Sequence, residues 1–586
     1  MSYEAVVTLV VLALTLVALA RELIPPPATV LGAVILLLVF GVVTPQQAFS
    51  GFSNPAPITV AALYVLARAV EKTGALQPLV SATLGQEGRG RGALLRLVLP
   101  TATASSFLNN TPIVAMLVPQ VADWAEHRGQ SPSRYLMPLS FAAILGGVVT
   151  TIGTSTNLVI SGLLEASGEA PLGMFEISRV GAPVALVGLV GLVLLAPALV
   201  PDRRAARREL DEDIREFVVN MVVGAGGPMD GRSVADAGLR HLQGVFLVEI
   251  ERDGDLIAPV TPETVLHGDD RLTFVGKADL VVDLQAMRGL ALAEREHTGG
   301  LDTARHTFFE AVVGGVSPLV GHTLKDISFR SRYQAAVVAI HRAGHRVKSK
   351  LGEVPLQVGD TLMILADPGF HGRYRDRNDF LLVSKLGGAP PVATAQAWIV
   401  FAVALGIVGG AALGILPILH LSLLGALALV GTGVLTTSEA RHSVDLNVIV
   451  VIASAFGLGA AMENSGLATM MAGGLVEALG GYGPTGVLLG LVVATIVLLS
   501  MITNNAAAVL MFPIAVSAAG ALGLEARPFA IAVAVAASAS FLTPIAYQTN
   551  LMVYGPGGYR FSDYLRLGGA LTLLVVPTIL VAVRLL

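Results

Sequence analysis

The sequence predicts an α-helical, polytopic membrane protein made of two inverted repeats, each with five spans and one re-entrant hairpin, and a cytoplasmic α/β insert of two similar modules. Three observations predict this fold. Hydrophobic residues make up 54% of the 586 residues and charged residues only 14%, against about 25% charged in an average soluble domain. Residues 202–385 hold 51 of the 80 Asp, Glu, Lys and Arg residues. Finally, matching polar interruptions occur twice, in the same order, within otherwise apolar segments.

The first apolar run, residues 6–20, could be a signal peptide or a retained span. It ends in Ala18-Leu19-Ala20, which resembles a signal-peptidase site. A signal peptide carries positive charge before its apolar region, but Met1-Ser2-Tyr3-Glu4 has no basic side chain and Arg21 follows the run instead. We therefore predict a retained first span, with cleavage as the alternative.

The first half of the chain combines five span-like segments with one interrupted segment. The interrupted segment, 94–122, has Asn109-Asn110-Thr111-Pro112 near its middle. Proline removes a backbone donor and Asn favours turns, so we expect two half-helices joined at a tip. We interpret this segment as a re-entrant hairpin. The five span-like segments are 6–20, 28–43, 57–72, 137–164 and 178–200.

The second half repeats this order after the insert, with a hairpin over 486–518. Its spans are expected at 396–416, 418–436, 446–463, 528–554 and 564–585. Three motifs match between the halves at a nearly constant offset of about 392–395 residues. They are Glu71-Lys72-Thr73-Gly74 with Glu463-Asn464-Ser465-Gly466, Asn109-Asn110 with Asn504-Asn505, and Thr150-x-Ile152-x-x-x-Thr156-Asn157-Leu158 with Thr543-x-Ile545-x-x-x-Thr549-Asn550-Leu551. An odd number of spans gives the halves opposite orientations, as in secondary transporters.

The basic residues of the short loops agree with this topology. If the insert is cytoplasmic, both termini lie outside, and basic residues then concentrate in the loops predicted inside, as the positive-inside rule requires. The predicted location is therefore the cell inner (plasma) membrane, crossed many times. The loops predicted inside contain Arg21, Arg68, Lys72, Arg89, Arg91, Arg96, Arg128, Arg134, Arg441, Arg560 and Arg566, whereas those predicted outside contain Arg179, Arg527 and Arg584.

The insert is itself a tandem repeat. Gly231-Arg232-Ser233-Val234-Ala235-Asp236 returns as Gly321-His322-Thr323-Leu324-Lys325-Asp326, and Arg252-Asp253-Gly254 returns as Arg342-Ala343-Gly344, about 90 residues later. β-like runs between glycine-bearing turns predict two small α/β modules. The predicted domains are thus membrane repeat 1 over 1–201, the two modules over 202–300 and 301–385, and membrane repeat 2 over 386–586.

The predicted site segments contain no charged residue and no histidine. These segments are 97–122, 137–164, 486–524 and 528–559. A proton-coupled carrier generally uses a titratable group at membrane depth, and a buried anion here would meet no cationic side chain. Half-helix N-termini and bound cations can compensate, and unwound carbonyls with Asn and Thr oxygens suit Na⁺. Charge balance therefore favours an anion that enters together with Na⁺.

Each motif also has a purely structural interpretation. An Asn-Asn pair can join helices by hydrogen bonds, and Gly146-Gly147 with Gly153 can serve close helix packing. The duplication in register favours the functional interpretation. Gly481-Tyr482-Gly483 resembles a potassium filter superficially, but it lacks the preceding Thr-Val and occurs once, so a channel filter is disfavoured.

The segments 105–111 and 146–157 resemble the divalent anion/sodium symporter family, the sodium:sulfate and dicarboxylate carriers. The segment 548–559 resembles in particular the bacterial and algal sulfate-permease branch of that family. This branch carries inserted regulatory modules called TrkA-C domains, and 202–385 looks like two of them. The resemblance covers essentially the whole chain.

The resemblance implies a homodimeric, elevator-type carrier in the lipid membrane, with Na⁺ as the coupling ion, no enzyme activity and no nucleic-acid partner. For the modules it implies either a bound nucleotide or cyclic dinucleotide, or a role in dimerisation or gating without a ligand. One Na⁺ would lie among Ser105, Asn109, Asn110, Gly153 and Asn157, and another among Ser500, Asn504, Asn505, Ala546 and Asn550. The anion would lie near Asn110, Thr111, Thr154, Asn505 and Thr549.

The hairpin tips depart from the family pattern, which is Ser-Asn-Thr. The first tip has Asn109-Asn110-Thr111 and the second has Asn504-Asn505-Ala506. The hydroxyl lost at the second tip could have held a distal carboxylate, so a compact tetrahedral oxyanion, sulfate first, is favoured over a C4 dicarboxylate. The alternatives are a dicarboxylate or other oxyanion carrier, an arsenite or cation/proton exchanger, a gated channel, and a sulfur-status sensor with a transporter-like membrane domain.

Overall fold

The chain forms two compact units that follow the division between apolar and charged sequence. One unit comprises Met1–Asp202, Ala389–Tyr554 and Tyr559–Leu586, and the other comprises Arg203–Gly388 with Gly555–Gly558. The structure is a computed structural model. It describes residues 1–21, 24–75, 91–128, 130–203, 218–239, 245–252, 255–258, 260–276, 287, 289–292, 307–314, 317–342, 345–347, 351–367, 369–374, 379–385, 395–544 and 546–586.

The described secondary-structure elements of the first unit are all helices, joined by turns and loops. In the first half of the chain its helices are Tyr3–Ala20, Pro26–Val39, Pro45–Phe49, Pro55–Thr73, Arg91–Ser105, Asn110–His127, Ser133–Gly147, Ser155–Ala166 and Ser178–Leu199, with a 3₁₀ turn at Ser50–Phe52. In the second half they are Ala397–Ala412, Ile418–Gly431, Thr437–Ser443, Leu446–Asn464, Leu467–Leu479, Gly483–Leu499, Asn504–Ala521, Ala526–Ser538, Gln548–Tyr554 and Phe561–Arg584, with a 3₁₀ turn at Gly480–Tyr482.

The length and composition of this unit suit a lipid bilayer. Trp398, Leu427 and Leu573 are each at least 69% exposed, although large apolar patches are rare on soluble monomers. Five described helical segments are long and apolar enough to cross a membrane. They are Ser178–Leu199, Leu446–Asn464, Leu467–Leu499, Asn504–Ala521 and Phe561–Arg584.

Both predicted hairpins contain a helix break at the Asn-Asn pair. Four residues separate Arg91–Ser105 from Asn110–His127, and four separate Gly483–Leu499 from Asn504–Ala521. The sequence-based expectation of two half-helices at each place agrees with these bounds. That each pair enters and leaves on one membrane face remains a prediction.

Two predicted spans are each divided by an unwound segment. The span expected over 137–164 consists of Ser133–Gly147 and Ser155–Ala166, and the span expected over 528–554 consists of Ala526–Ser538 and Gln548–Tyr554. We name the segments 148–154 and 539–547 the first and second breaks; residue 545 lies outside the described residues. Gly146, Gly147 and Gly153 at the first break and Thr543-Pro544 at the second weaken the helix, so unwinding occurs at the polar motifs. The helix Leu467–Leu479 was not predicted from the sequence.

Helices of the two halves share start positions and caps. Pro26–Val39 and Ile418–Gly431 each have 14 residues, and both start directly after a proline. The Thr44 hydroxyl accepts a hydrogen bond from the Gln47 backbone N–H, and the Thr436 hydroxyl accepts one from the Glu439 N–H, each within a capping box. A capping box satisfies N–H groups that the first helical turn leaves free. The inverted orientation of the two halves remains a prediction.

The second unit contains two five-stranded antiparallel sheets. The first consists of β1 (Val218–Val223), β2 (Val245–Arg252), β3 (Asp255–Ile257), β4 (Arg271–Gly276) and β5 (Leu290–Leu292), in the order β3-β2-β4-β1-β5. The second consists of β6 (Thr307–Val312), β7 (Ala335–Arg342), β8 (His345–Arg346), β9 (Thr361–Ala366) and β10 (Leu382–Lys385), in the order β10-β6-β9-β7-β8. Short helices lie at Phe329–Tyr333 and Phe370–Tyr374, with a 3₁₀ turn at Leu351–Glu353.

The two sheets carry the same ion pair, of a partly exposed arginine with a buried carboxylate, at equivalent positions. The Arg252 guanidinium donates to both carboxylate oxygens of Asp270, at 2.7 and 2.8 Å. Arg342 does the same to Asp360, at 2.8 Å in both contacts. Each carboxylate also accepts a backbone N–H, and each arginine reaches a carbonyl 13 residues ahead. The two sheets therefore share local contacts, whereas their identification as TrkA-C domains remains a prediction.

Candidate functional site

The first break is held by the side chain of Asn157. Its Nδ2 donates hydrogen bonds to the carbonyls of Gly147, at 3.2 Å, and Thr150, at 2.8 Å. The Thr150 hydroxyl in turn donates to the carbonyl of Ser106, at the first hairpin tip. Asn157 and Thr150 are fully buried. These bonds satisfy carbonyls that the unwound backbone leaves without a helical partner.

The second break is held in the same way by Asn550. Its Nδ2 donates to the carbonyls of Ser540, at 2.8 Å, and Thr543, at 3.2 Å. The intervals from Asn550 to its two partners are 10 and 7 residues, as they are for Asn157. The motif recognised as a repeat in the sequence therefore makes the same backbone contacts in both halves.

The first tip is closed by a bond between Ser105 and Asn110. The Ser105 hydroxyl donates to the Ala143 carbonyl at 2.8 Å, so its proton is not available to the Asn110 amide 2.5 Å away. We therefore assign the Asn110 nitrogen, not the oxygen, to the Ser105 side. The nitrogen then also lies 3.2 Å from the Gly153 carbonyl, and the oxygen accepts from the Tyr547 hydroxyl at 2.7 Å. This assignment gives every group a donor or acceptor of the right kind.

The first tip contacts the second break. Asn110 bonds Tyr547, and the Thr111 hydroxyl lies 3.3 Å from the Gln548 side-chain oxygen. The Tyr547 hydroxyl is also 3.4 Å from the hydroxyl of Thr154, in the first break. Tyr547 thus joins one tip and both breaks in a single group of contacts.

The second tip contacts the helix that follows the first break. The Asn505 side-chain oxygen lies 3.1 Å from the Ser155 hydroxyl and 3.3 Å from the Thr156 hydroxyl. The Asn504 Nδ2 donates to Thr156 Oγ1 at 2.9 Å. Each hairpin tip therefore meets the break region of the other half. We call this group of tips and breaks the crossed junction.

Two glycines let the backbone approach closely at this junction. A Cβ on Gly146 would lie 2.1 Å from the Ala102 carbonyl oxygen. A Cβ on Gly153 would lie 2.6 Å from the Gly147 oxygen and 2.9 Å from the Ser105 oxygen. Real Cβ atoms do not tolerate such distances to backbone atoms. The glycines therefore serve close packing, and Gly153 does so beside predicted cation ligands.

The electrostatic field of the junction comes from backbone rather than from charged side chains. Three helices of 18, 18 and 12 residues begin there, at Asn110, Asn504 and Ser155. A helix N-terminus carries about half a positive charge in unpaired N–H groups, and such groups favour anions. The arrangement can attract an anion without a fixed cation.

The oxygen of Asn157 has no hydrogen-bond partner among the described residues, although it is fully buried. The amide cannot be turned over, because its nitrogen already donates to two carbonyls. Buried polar atoms are normally paired. An unpaired amide oxygen beside unwound carbonyls is the donor type that Na⁺ prefers, so the first predicted cation site fits its proposed occupant.

The second predicted cation site is less complete. The Asn550 oxygen accepts from the Ser140 hydroxyl at 2.7 Å. Ser500 donates to the Ile496 carbonyl at 2.8 Å, while Asn504 and Asn505 bond the first-half residues. Within the described ranges, no hydrogen bond joins any of these three residues to Asn550. The Ala546 N–H donates to the Thr543 hydroxyl at 3.3 Å.

Some of the predicted cation and anion ligands are in contact with one another, and others are not. Ser105, Asn110 and Gly153 are in direct contact, whereas Asn109 is only partly buried in the gap before its helix. Of the predicted anion ligands, Asn110 and Thr154 share Tyr547. Thr549 is fully buried, and its hydroxyl lies 2.9 Å from Ser140.

Sequence reasoning missed two residues of the junction, Tyr547 and Ser140. Tyr547 occupies the position that corresponds to Thr154 in the other half, and its hydroxyl was a polar group within an uncharged, apolar segment. Ser140 is a lone hydroxyl in the apolar run that leads to Gly146-Gly147. A buried hydroxyl needs a hydrogen-bond partner. The hydroxyls of Tyr547 and Ser140 within apolar segments could therefore have indicated that both residues belong to a polar site.

Comparison with known proteins identifies the family. Residues 14–536 and 480–586 match the family described as citrate transporter, CitMHS. A "putative sulfur deprivation response regulator" of Chlamydomonas reinhardtii is 34% identical over 94% of this chain and 96% of its own, and an uncharacterized transporter of Synechocystis is 34% identical over 98% and 95%. Sodium/sulfate cotransporter 1 of Chlamydomonas reinhardtii is 25% identical over 97% and 88%.

Among solved structures, the YdaH transporter of Alcanivorax borkumensis aligns with a TM-score of 0.43 at 12% identity, over 94% of this chain and 88% of its own. The family match spans most of the chain, and it confirms the resemblance drawn from the tips and breaks. The chain belongs to the CitMHS citrate transporter family, within the divalent anion/sodium symporter superfamily, and it is a membrane transporter rather than an enzyme.

Proposed function

We propose that the protein is a Na⁺-coupled symporter of a small divalent anion, with sulfate as the first candidate, working by an elevator-type alternating-access mechanism. One observation carries the proposal. The crossed junction is uncharged and largely buried, and it presents helix N-termini together with the unpaired oxygen of Asn157. Such a site balances an anion only with a cation bound nearby. Relatives named as sodium/sulfate cotransporters support the same pairing.

The anion is proposed to lie between the two tips. Its oxygens would accept hydrogen bonds from free N–H groups at the starts of the tip helices and from side-chain amides and hydroxyls. A cation at each break would supply the positive charge that the side chains lack. The proposed anion ligands are Asn110, Thr111, Thr154, Asn505 and Thr549. The proposed Na⁺ ligands are Ser105, Asn109, Asn110, Gly153 and Asn157 at one site, and Ser500, Asn504, Asn505, Ala546 and Asn550 at the other.

The wider assembly is proposed as a homodimer in the inner (plasma) membrane, with both termini outside. The insert would be cytoplasmic, and its two sheets would act as TrkA-C-like regulatory modules. They would respond to a nucleotide or cyclic dinucleotide, or act in dimerisation without a ligand. The shared ion pairs of Arg252 and Arg342 support two equivalent modules.

The substrate has a second candidate class. The family description names citrate, so a dicarboxylate or tricarboxylate competes with sulfate for the assignment. A second function also has a specific observation in its favour. The relative named as a putative sulfur deprivation response regulator is 34% identical, and a sulfur-status sensor would share this membrane unit.

Uptake of labelled sulfate into proteoliposomes tests the proposal. A Na⁺ gradient should drive accumulation, and its replacement by choline at fixed pH should abolish it. Unlabelled sulfate should compete better than succinate, citrate or phosphate. Uptake that does not change with choline refutes Na⁺ coupling, and stronger competition by succinate or citrate moves the substrate to the carboxylates. Sulfate binding without any uptake would favour the sensor.

A further inference from the structure

The helices that lead into the two breaks differ at one pair of equivalent positions that lies beside the break amides. These helices, Ser133–Gly147 and Ala526–Ser538, begin 393 residues apart, the same offset that relates Asn157 to Asn550. At this offset Ser140 of the first helix corresponds to Val533 of the second. Both side chains are fully buried. One position therefore has a hydroxyl where the other has a methyl group.

The hydroxyl of Ser140 is hydrogen-bonded to the side-chain oxygen of Asn550. It donates to Asn550 Oδ1 at 2.7 Å and lies 2.9 Å from Thr549 Oγ1. Because the Asn550 nitrogen already donates to two carbonyls, every polar atom of this amide is engaged. An additional ligand of the Asn550 oxygen must share it with the Ser140 proton, which uses one of its two lone pairs.

The oxygen of Asn157 is left open on the other side. Helix Ala526–Ser538 packs against Ser155–Ala166, as the Gln548–Tyr554 helix packs against Ser133–Gly147. Val533 occupies the equivalent of the donor position but has no proton to give. The Asn157 oxygen accordingly stays buried and unpaired, which is unfavourable unless something binds it.

We propose that Val533 and Ser140 make the two cation sites unequal. The first break, around Asn157, offers a free oxygen and takes Na⁺ first and more tightly. At the second break, Ser140 competes for the Asn550 oxygen and weakens the site. This inference rests on the proposed Na⁺ coupling. It adds two residues, neither of them a proposed cation ligand, that set the order and relative affinity of the two sites.

The variants Val533→Thr and Ser140→Ala test the inference on the full chain in detergent. Threonine keeps the shape of valine and adds the missing hydroxyl, whereas Val533→Ala removes volume without adding one and is the matched control. The readout is the rise of the thermal unfolding midpoint with Na⁺, at constant ionic strength set by choline, together with binding of radioactive ²²Na⁺. A cation that binds only the folded chain stabilises it by RT ln(1 + [Na⁺]/Kd), so a weaker site needs more Na⁺ for the same rise in the unfolding midpoint.

Val533→Thr should raise the half-saturating Na⁺ concentration of the tighter site about fivefold, the factor that one net hydrogen bond provides. Val533→Ala should leave it within about twofold of the parent value. Ser140→Ala should lower the half-saturating concentration of the weaker site, and it provides an independent arm if Val533→Thr fails to fold. Adding a hydroxyl at position 533 should therefore weaken Na⁺ binding at the first break, and removing the hydroxyl at position 140 should strengthen Na⁺ binding at the second break.

The possible results distinguish a failure of the unequal cation sites from a failure of the proposed Na⁺ coupling. If the parent chain shows no stabilisation that is selective for Na⁺ over choline and K⁺, the proposed coupling fails and the inference fails with it. If the parent is stabilised by Na⁺ but Val533→Thr matches Val533→Ala, only the inference fails. Val533→Thr could also be more stable than the parent by the same amount in Na⁺, K⁺ and choline. An ordered water, not a cation, would then pair with the Asn157 oxygen, and this result also overturns the inference.

Discussion

The phenolic hydroxyl of Tyr547 donates a hydrogen bond to the side-chain oxygen of Asn110, 437 residues earlier in the chain, at 2.7 Å. This bond joins the tip of the first hairpin to the break of the opposite half. Both side chains are buried, so water cannot replace either partner. The contact makes the two halves of the membrane unit depend on each other at the candidate site.

Tyr547→Phe should therefore destabilise the protein by about 1–2 kcal/mol, because it leaves the Asn110 oxygen buried and unpaired. The thermal unfolding midpoint of the purified chain measures the loss. Tyr482→Phe is the matched control, since Tyr482 is 81% exposed, and it should unfold at the parent temperature. Equal midpoints for the two variants would show that the Asn110 oxygen finds another donor.

Gly146→Ala should prevent correct packing of the first break. Its Cβ would lie 2.1 Å from the Ala102 carbonyl oxygen, and overpacking of a tight contact costs about 1–3 kcal/mol or more. Gly32→Ala, where a Cβ meets nothing within 4 Å, should be neutral or slightly stabilising because alanine favours helix. The yield of monodisperse protein on size exclusion, with the unfolding midpoint, distinguishes them. A well-folded Gly146→Ala protein would contradict the close approach.

Ala506→Thr should shift substrate preference towards carboxylates. The side chain lies in the first turn of the helix Asn504–Ala521 and is 6% exposed. A hydroxyl there would add a hydrogen-bond donor at the second tip, worth a few-fold to about tenfold in relative affinity. Ala506→Val adds similar volume without the hydroxyl and serves as control. Competition of succinate against labelled sulfate is the measurement, and the same ratio in both variants would remove the tip hydroxyl from the specificity argument.

Arg342→Ala should loosen the second sheet of the insert and leave the first unchanged. It removes the partner of Asp360, whose side chain is fully buried, and an unpaired buried carboxylate is costly. Hydrogen exchange of the full chain, followed by mass spectrometry, should show faster exchange in β7 and β9. Arg252→Ala is the reciprocal variant and should affect β2 and β4 alone. Loosening of both sheets by either variant would mean that they unfold together.

The ion pair of Lys72 with Glu439 should add stability at neutral pH and lose it in acid. The Lys72 ammonium, 2.8 Å away, and then the Thr436 backbone N–H lower the pKa of Glu439 from 4.5 to about 2. A carboxyl group with a lowered folded-state pKa stabilises the protein above pH 4.5, and this contribution is lost as pH falls through about 2. Both side chains are about one-third exposed, so the contribution stays below about 1 kcal/mol.

Glu439→Gln provides the comparison for this pair. The gap between the unfolding midpoints of the parent and the variant should be largest near pH 7 and should close towards pH 2. High salt should also narrow it, because the pair is partly solvated. A gap that does not change with pH would assign the effect to the Thr436 capping box rather than to charge.

The helical membrane unit and its two helix breaks could be predicted from the sequence, because they follow from the apolar composition and from the constant spacing of the repeated motifs. Asn157 and Asn550 sit in motifs repeated at one offset, and each secures its break through the same two carbonyls. The pairing of each tip with the opposite break was not readable in the same way. It depends on how distant helices pack, and no local pattern encodes that Tyr547 reaches Asn110.

The repeated motif also did not predict the chemical difference between the two breaks. The repeated Asn157 and Asn550 predict similar cation sites, and a hydroxyl at Ser140 against a methyl group at Val533 makes their surroundings unequal. Neither residue belongs to a polar motif, so only the contacts of the folded chain reveal their role. The helix Leu467–Leu479 was missed for another reason, since it is separated from Gly483–Leu499 by a single 3₁₀ turn within one long apolar stretch.

The two 14-residue helices that follow Pro25 and Pro417 have a consequence for the surrounding lipid. At 1.5 Å per residue each is about 21 Å long, while the hydrocarbon core of a bilayer is about 30 Å thick. Such a hydrophobic mismatch is relieved by local thinning of the bilayer or by flanking residues that extend to the interface. For Pro26–Val39 and Ile418–Gly431 we therefore expect local thinning of the bilayer or flanking residues that extend to the interface, and a stability of the protein that depends on lipid chain length.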